Sequence, residues 1–119
     1  MITESKKWFE QARKDLKAAK DSLNSENYEW ACFQAQQSSE KALKALHIKR
    51  YKHLLKVHDL VLLAKRINAP NEIIASCSKI NPSYADTRYP DMSKIYSKED
   101  AKVVINLTGD VLKWIEKNL

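Results

Sequence analysis

Residues 26–49, ENYEWACFQAQQSSEKALKALHIK, are the stretch on which the fold turns. Tyr28, Cys32, Ala35, Ser39, Ala42 and Leu46 recur there at alternating steps of four and three residues, the period of one buried helical face. The segment is dense in Ala, Gln, Glu, Lys and Leu, which are strong helix formers. A helix from about Glu26 to Lys49 follows. Small side chains dominate its buried face, which permits close approach of a neighbouring helix.

The same spacing extends outward in both directions. Phe9, Ala12, Leu16, Ala19 and Leu23, widened by Trp8, mark a first helix that starts near Thr3 or Ser5 and runs to about Leu23. The polar stretch Ser22 to Asn27 turns the chain. Beyond Lys49 the period fails from Arg50 to Val57, which reads as a loop. A shorter helix is expected from His58-Asp59-Leu60 to about Ile67, and another over Asn71 to Lys79 with Pro70 in its first turn. Pro82 to Tyr96 keeps no period and reads as irregular. Ser97-Lys98-Glu99-Asp100 resembles a capping box and opens a last helix whose inward stripe is Ala101, Val104, Ile105, Thr108, Val111, Leu112 and Ile115.

Only one Gly and three Pro occur among 119 residues, which disfavours a turn-rich β fold. The expected fold is all-α: one domain over 1–119, an antiparallel up-and-down four-helix-type bundle with an additional short helix, about five helices in all. No apolar run suits a signal peptide or a membrane span, so a cytoplasmic protein is expected. Cys32 and Cys77 lack metal-site spacing and read as small core residues in a reducing compartment. No metal or cofactor is expected.

The net charge is +6, and it is concentrated. Lys41, Lys44, Lys49, Arg50, Lys52 and Lys56 fall between positions 41 and 58 with three histidines and no acid, while the rest of the chain is balanced. Around Lys49-Arg50-Tyr51-Lys52-His53 an aromatic ring lies between cations, a mixture that suits phosphate neutralisation with base stacking, or merely solubility. Gln37, Lys41 and Lys44 share one face of the second helix, with Gln36 and Glu40 on the adjoining one. These residues read either as a binding face or as a solvated one with a Glu40–Lys44 ion pair. Arg88 could meet a phosphate beside Tyr84 or Tyr89, or pair with Asp86 or Asp91. His58 reads as a neighbour of a helix N-cap whose ring bonds to backbone.

One ordered set of motifs goes further. Ala31 to Ala45 resembles the HEPN signature A-x-F-x-A-Q-Q-x-x-E-K-x-x-K-A, and His58-Asp59-Leu60 with Leu63 resembles that family's H-D-L-x-x-L element. Tyr84 with Arg88-Tyr89-Pro90 is similar to its Y-x-x-x-R-Y-P loop, and Glu99-Asp100-Ala101 to the start of its final helix. The resemblance implies a helical bundle, commonly a homodimer, encoded beside a minimal nucleotidyltransferase and acting in nucleotide binding or in a toxin–antitoxin pair.

Many HEPN proteins are also metal-independent ribonucleases that use an Arg, a short spacer and a His. Here two residues separate Arg50 from His53 and seven separate it from His58, while Arg66 and Arg88 have no His after them. The expected role is therefore nucleotide, RNA or nucleotidyltransferase binding through Gln37, Glu40, Lys41, Lys44, Arg50, Lys52, Tyr84, Arg88 and Tyr89. A ribonuclease using Arg50 with His53 or His58 is the enzymatic alternative. A purely structural dimerising bundle is the third.

Overall fold

A computed structural model describes residues 3–90 and 95–119. Its helices are α1 (Glu4–Asn24), α2 (Tyr28–Tyr51), α3 (Leu60–Arg66), α4 (Asn71–Ile80), the single turn α5 (Ser83–Asp86) and α6 (Lys98–Asn118), with no strand among the described residues. Five helices of about two turns or more match the sequence expectation. The exception is α5, in the stretch read as irregular: one turn is too short to generate a period.

The three long helices form the frame. The link at residues 25–27 is so short that α2 must return along α1, and the contacts run antiparallel: Ser22 Oγ lies 2.6 Å from the Gln34 side-chain amide near the turn, and Lys41 Nζ donates to Asp15 Oδ2 at 2.6 Å farther along. Ser38 Oγ also donates to the Ala12 carbonyl at 2.6 Å. Of the stripe read from spacing, Cys32, Ala35, Ser39, Ala42 and Leu46 are buried, and Tyr28, in the first turn, is half-buried against the core. Thr108 of α6 joins the same seam, 3.0 Å from Ser39 Oγ and donating to the Ala35 carbonyl. α3 and α4 pack on the α2–α6 side of the frame.

Helix ends follow local chemistry. Thr3 Oγ1 accepts from the Lys6 N–H, and Asp59 Oδ1 from Val61 and Leu62. Ser97 and Asp100 complete a reciprocal capping box at α6. α2 runs through Arg50 and Tyr51, which the sequence placed in the following loop, and stops at Lys52 in the left-handed region with φ 63°. Cationic Lys49 and Arg50 complement the negative end of that helix dipole.

Gly109 lies inside α6, and a Cβ built on it meets nothing within 4 Å. Gly109→Ala therefore raises stability by about 0.5–1 kcal/mol, since glycine loses more backbone freedom than alanine when a helix forms. Urea unfolding of the two proteins, with unchanged m-value, checks the gain.

Candidate functional site

Asn81 holds the site together from a distance. Its Nδ2 donates to Asp59 Oδ1 at 2.9 Å and its Oδ1 accepts the Leu60 N–H at 2.8 Å. The start of α3 is thus tied to the end of α4, so His58, just before α3, meets Tyr84, just after α4. The Asn81 amide also holds the Asp59 carboxyl below the usual carboxylate range, helped by the two backbone N–H groups it caps.

Beneath His58 lies the face of α2. Glu40 is 5% exposed, and its Oε2 accepts from Lys44 Nζ at 2.8 Å. Gln36 Nε2 lies 3.4 Å from Glu40 Oε1, and Gln37 Nε2 donates to Gln36 Oε1 at 2.8 Å. His58 Nδ1 stands 3.1 and 3.2 Å from the two Glu40 oxygens. The ring of His58 therefore bonds to a buried carboxylate rather than to backbone, and the expected solvated face is an interior network. The Glu40–Lys44 pair read from its four-residue spacing is present, but Lys44 is 5% exposed.

Aromatic rings continue the network outward. His58 stacks on Tyr84 at 4.5 Å between centroids and 18° between planes. The Arg88 guanidinium carbon is 4.3 Å from the Tyr84 ring centre, 5.2 Å from Tyr89 and 5.4 Å from Phe33. Arg88 Nε donates to the Tyr84 carbonyl at 2.8 Å, and among the described residues its two terminal NH₂ groups form no hydrogen bond, a fork for an anion. Trp30, 56% exposed, meets Phe33 edge-on at 5.8 Å. Arg88 thus turns to the tyrosines rather than to Asp86, and Asp91 lies outside the described residues.

The basic residues after α2 form a separate group. Arg50 is ten residues beyond Glu40, about 15 Å along the helix axis. Its guanidinium bonds the Ile67 carbonyl, Tyr51 Oη donates to the Arg66 carbonyl at 2.9 Å, and His53 Nδ1 is 3.1 Å from the Tyr51 carbonyl. An open cleft of about 730 Å³ at this end includes Lys6, Lys49, Lys52 and His53 in its walls. Lys41 is engaged by Asp15. Glu40, His58, Tyr84, Arg88 and Tyr89 are therefore brought together, and Arg50, Lys52 and His53 lie elsewhere.

Sequence reasoning passed over Phe33 and Trp30, although Phe33 is the aromatic letter of the quoted α2 pattern. It also passed over His47, which is fully buried between the rings of Tyr51 and His53. Its Nδ1 lies 3.1 Å from the His53 carbonyl, and its Nε2 is buried with no hydrogen-bond partner. Burial lowers its pKa, with the nearby His53 and Arg66 acting in the same direction and the His53 carbonyl opposing. The sign is definite: below the ordinary imidazole value of about 6.5 the unfolded chain takes up a proton that the folded one resists. Stability contributed by neutral His47 is thus present above that value and declines as pH falls through it toward the folded pKa. Urea unfolding at pH 7.5 and pH 5.5 should give a drop that is smaller in His47→Gln.

Among the described residues no group of three or more His, Cys, Asp or Glu could hold a metal ion, and no helix is long and apolar enough to cross a membrane.

Relatives share this architecture. The chain superposes on TT1696 from Thermus thermophilus with a TM-score of 0.92 and 30% identity, over 99% of this chain and 100% of that one. For ST0689, an archaeal HEPN homologue, the values are 0.82 and 29% over 98% of each. For a HEPN domain protein of Thermotoga maritima, TM0613, they are 0.73 and 25%, over 92% and 94%. A comparison with curated proteins finds no match. The HEPN domain model itself matches residues 5–118, the span that carries the α2 signature, the His58 element and the Tyr84–Arg88 loop, and the chain belongs to the HEPN family.

Proposed function

We propose that this chain is a HEPN binding module, one domain over 1–119, that takes a nucleotide or a short RNA segment at the His58–Tyr84–Arg88 cluster. The observation that carries the reading is the exposed guanidinium of Arg88 set against Tyr84, Tyr89 and Phe33: a cation for phosphate beside rings on which a base can stack. Lys52 and His53 at the far end of α2 supply a second basic contact for a longer strand. In the cell the module acts in the cytoplasm as a homodimer with a minimal nucleotidyltransferase, as one half of a toxin–antitoxin pair. Titrating labelled ATP, a short single-stranded RNA and the nucleotidyltransferase encoded beside it, at low and high salt, tests the reading. Salt-sensitive binding of at least one supports it, and failure of all three at low salt ends it.

A second reading, the metal-independent endoribonuclease, gains from one observation. Arg50 and His53 are each bonded to backbone carbonyls, whereas His58 has a buried carboxylate behind Nδ1. That bond places the lone pair of the neutral ring on Nε2, as a general base requires, and Arg88 lies on the same tyrosine. In this scheme His58 takes the 2′-hydroxyl proton as that oxygen attacks the adjacent phosphorus, Arg88 stabilises the negative charge on the phosphoryl oxygens, and the 5′-oxygen leaves, taking a proton from water. Cleavage of labelled RNA in chelator, lost in both His58→Ala and Arg88→Ala, would favour it. Activity that survives His58→Ala would rule it out.

A further inference from the structure

The chain's only glycine stands where its own fold has no use for it. Gly109 has no positive φ, and open space surrounds the position of its missing Cβ. Three turns that do need the left-handed region are made instead by Glu26, Lys52 and Asn68, with φ of 64°, 63° and 56°. A helical glycine serves where another backbone approaches closely, and no described segment does so here.

Gly109 forms part of a groove of about 350 Å³ between α1 and α6, whose apolar floor is half-buried Leu16 with the edges of the core residues Phe9 and Leu112, 5% and 6% exposed. α1 packs chiefly on α2 and α6, with α3 and α4 on the other side of the frame, so no helix among the described residues fills the furrow. Its rim is cationic. Arg13, Lys17 and Lys20 stand in one row on α1 and Lys113 faces them from α6, against the single acid Glu116. Glu116 is taken by Arg13 at 3.1 Å, and Lys17 pairs with Asp21 in the open, where such a pair contributes little. Lys20 and Lys113 form no ion pair among the described residues.

We propose that this groove docks an amphipathic helix of a partner protein, apolar side down across Gly109 and acidic side chains against Lys17, Lys20 and Lys113. From Phe9 to Lys20 the furrow runs about 16 Å, room for roughly three turns. Charge selects this occupant. A second copy in twofold contact would set this lysine-rimmed patch against an identical one, and RNA would find no open aromatic face here, since Phe9 is 5% exposed.

The probe is a fluorescein-labelled designed helix of about four turns, leucine on one face and glutamate on the flanks, with a lysine-flanked twin as control. Anisotropy should show the acidic peptide binding at least about tenfold more tightly than its twin. Gly109→Leu, which fills the furrow with a strong helix former, and Lys20→Glu with Lys113→Glu should each weaken it by about tenfold or more. Thermal unfolding confirms that the variants are folded. Equal binding of the two peptides, or indifference to Gly109→Leu, would overturn the proposal. A dimer in sedimentation that Gly109→Leu dissociates would assign the groove to a second copy. RNA binding lost in the lysine variants but kept in Gly109→Leu would assign it to RNA, and either result overturns the helix.

Discussion

Glu40→Ala destabilises the chain by about 3–5 kcal/mol, because it leaves Lys44 as a buried cation without its carboxylate. The same deletion takes the partner from His58 and an acceptor from Gln36, so part of the loss is local to the site. Domains of this kind have only about 5–15 kcal/mol in hand, and the variant should unfold at markedly lower urea. The double replacement Glu40→Leu with Lys44→Met should recover most of the loss, since a buried pair exchanged for apolar side chains of similar volume is often neutral or better. If Glu40→Ala alone costs under about 1 kcal/mol, water reaches the pair and the interior reading of this face is wrong.

Arg88→Ala should lower affinity for nucleotide or RNA by about ten- to a hundredfold while leaving the unfolding curve unchanged. The magnitude follows from hydrogen bonds to a charged group at about 1.5–3 kcal/mol, with each 1.4 kcal/mol worth about tenfold. Stability is spared because Arg88 is exposed, lies on the outer faces of the rings, and makes its hydrogen bond to the Tyr84 carbonyl in the open. Arg88→Lys keeps the charge but loses the planar fork and the stacking, so it should fall between the two. Titration by fluorescence at fixed salt measures all three proteins. Equal affinity in the wild type and Arg88→Ala would remove the cluster from the binding reading.

The long helices were legible because each carries its period over several turns, and α2 was plainest: five of the six stripe residues are buried, and the sixth, Tyr28, is half-buried. Its ends were less so, and Tyr28–Tyr51 is shifted by two residues from the expected span. The missed α5 has only four residues, too few to show a face.

For the candidate site the sequence supplied the parts and the fold supplied their meeting. Spacing within α2 gave the Glu40–Lys44 pair but not its burial, which depends on α1, with Trp8, and on the chain around His58 closing over it. The contact between His58 and Tyr84 could not be counted from sequence, because it rests on Asn81 bridging α3 and α4. Arg50 and Lys52, prominent as charges, lie at the other end of α2. His47 gave no signal, since one more histidine in a basic run does not announce that it is buried.

Cys32, on α2 close behind Phe33, and Cys77, on α4, are both fully buried and in no disulfide, and burial pushes the Cys77 thiol up to about 12. Neither sulfur can meet a disulfide reagent until its own helix opens, so each reports on a different part of the bundle. The two rates of modification, measured in native buffer on Cys32→Ser and Cys77→Ser separately, rank the openings of α2 and α4. A ligand at the Tyr84–Arg88 cluster should slow the Cys32 reaction more than the Cys77 reaction, which makes the chain a clock for its own occupancy without any label.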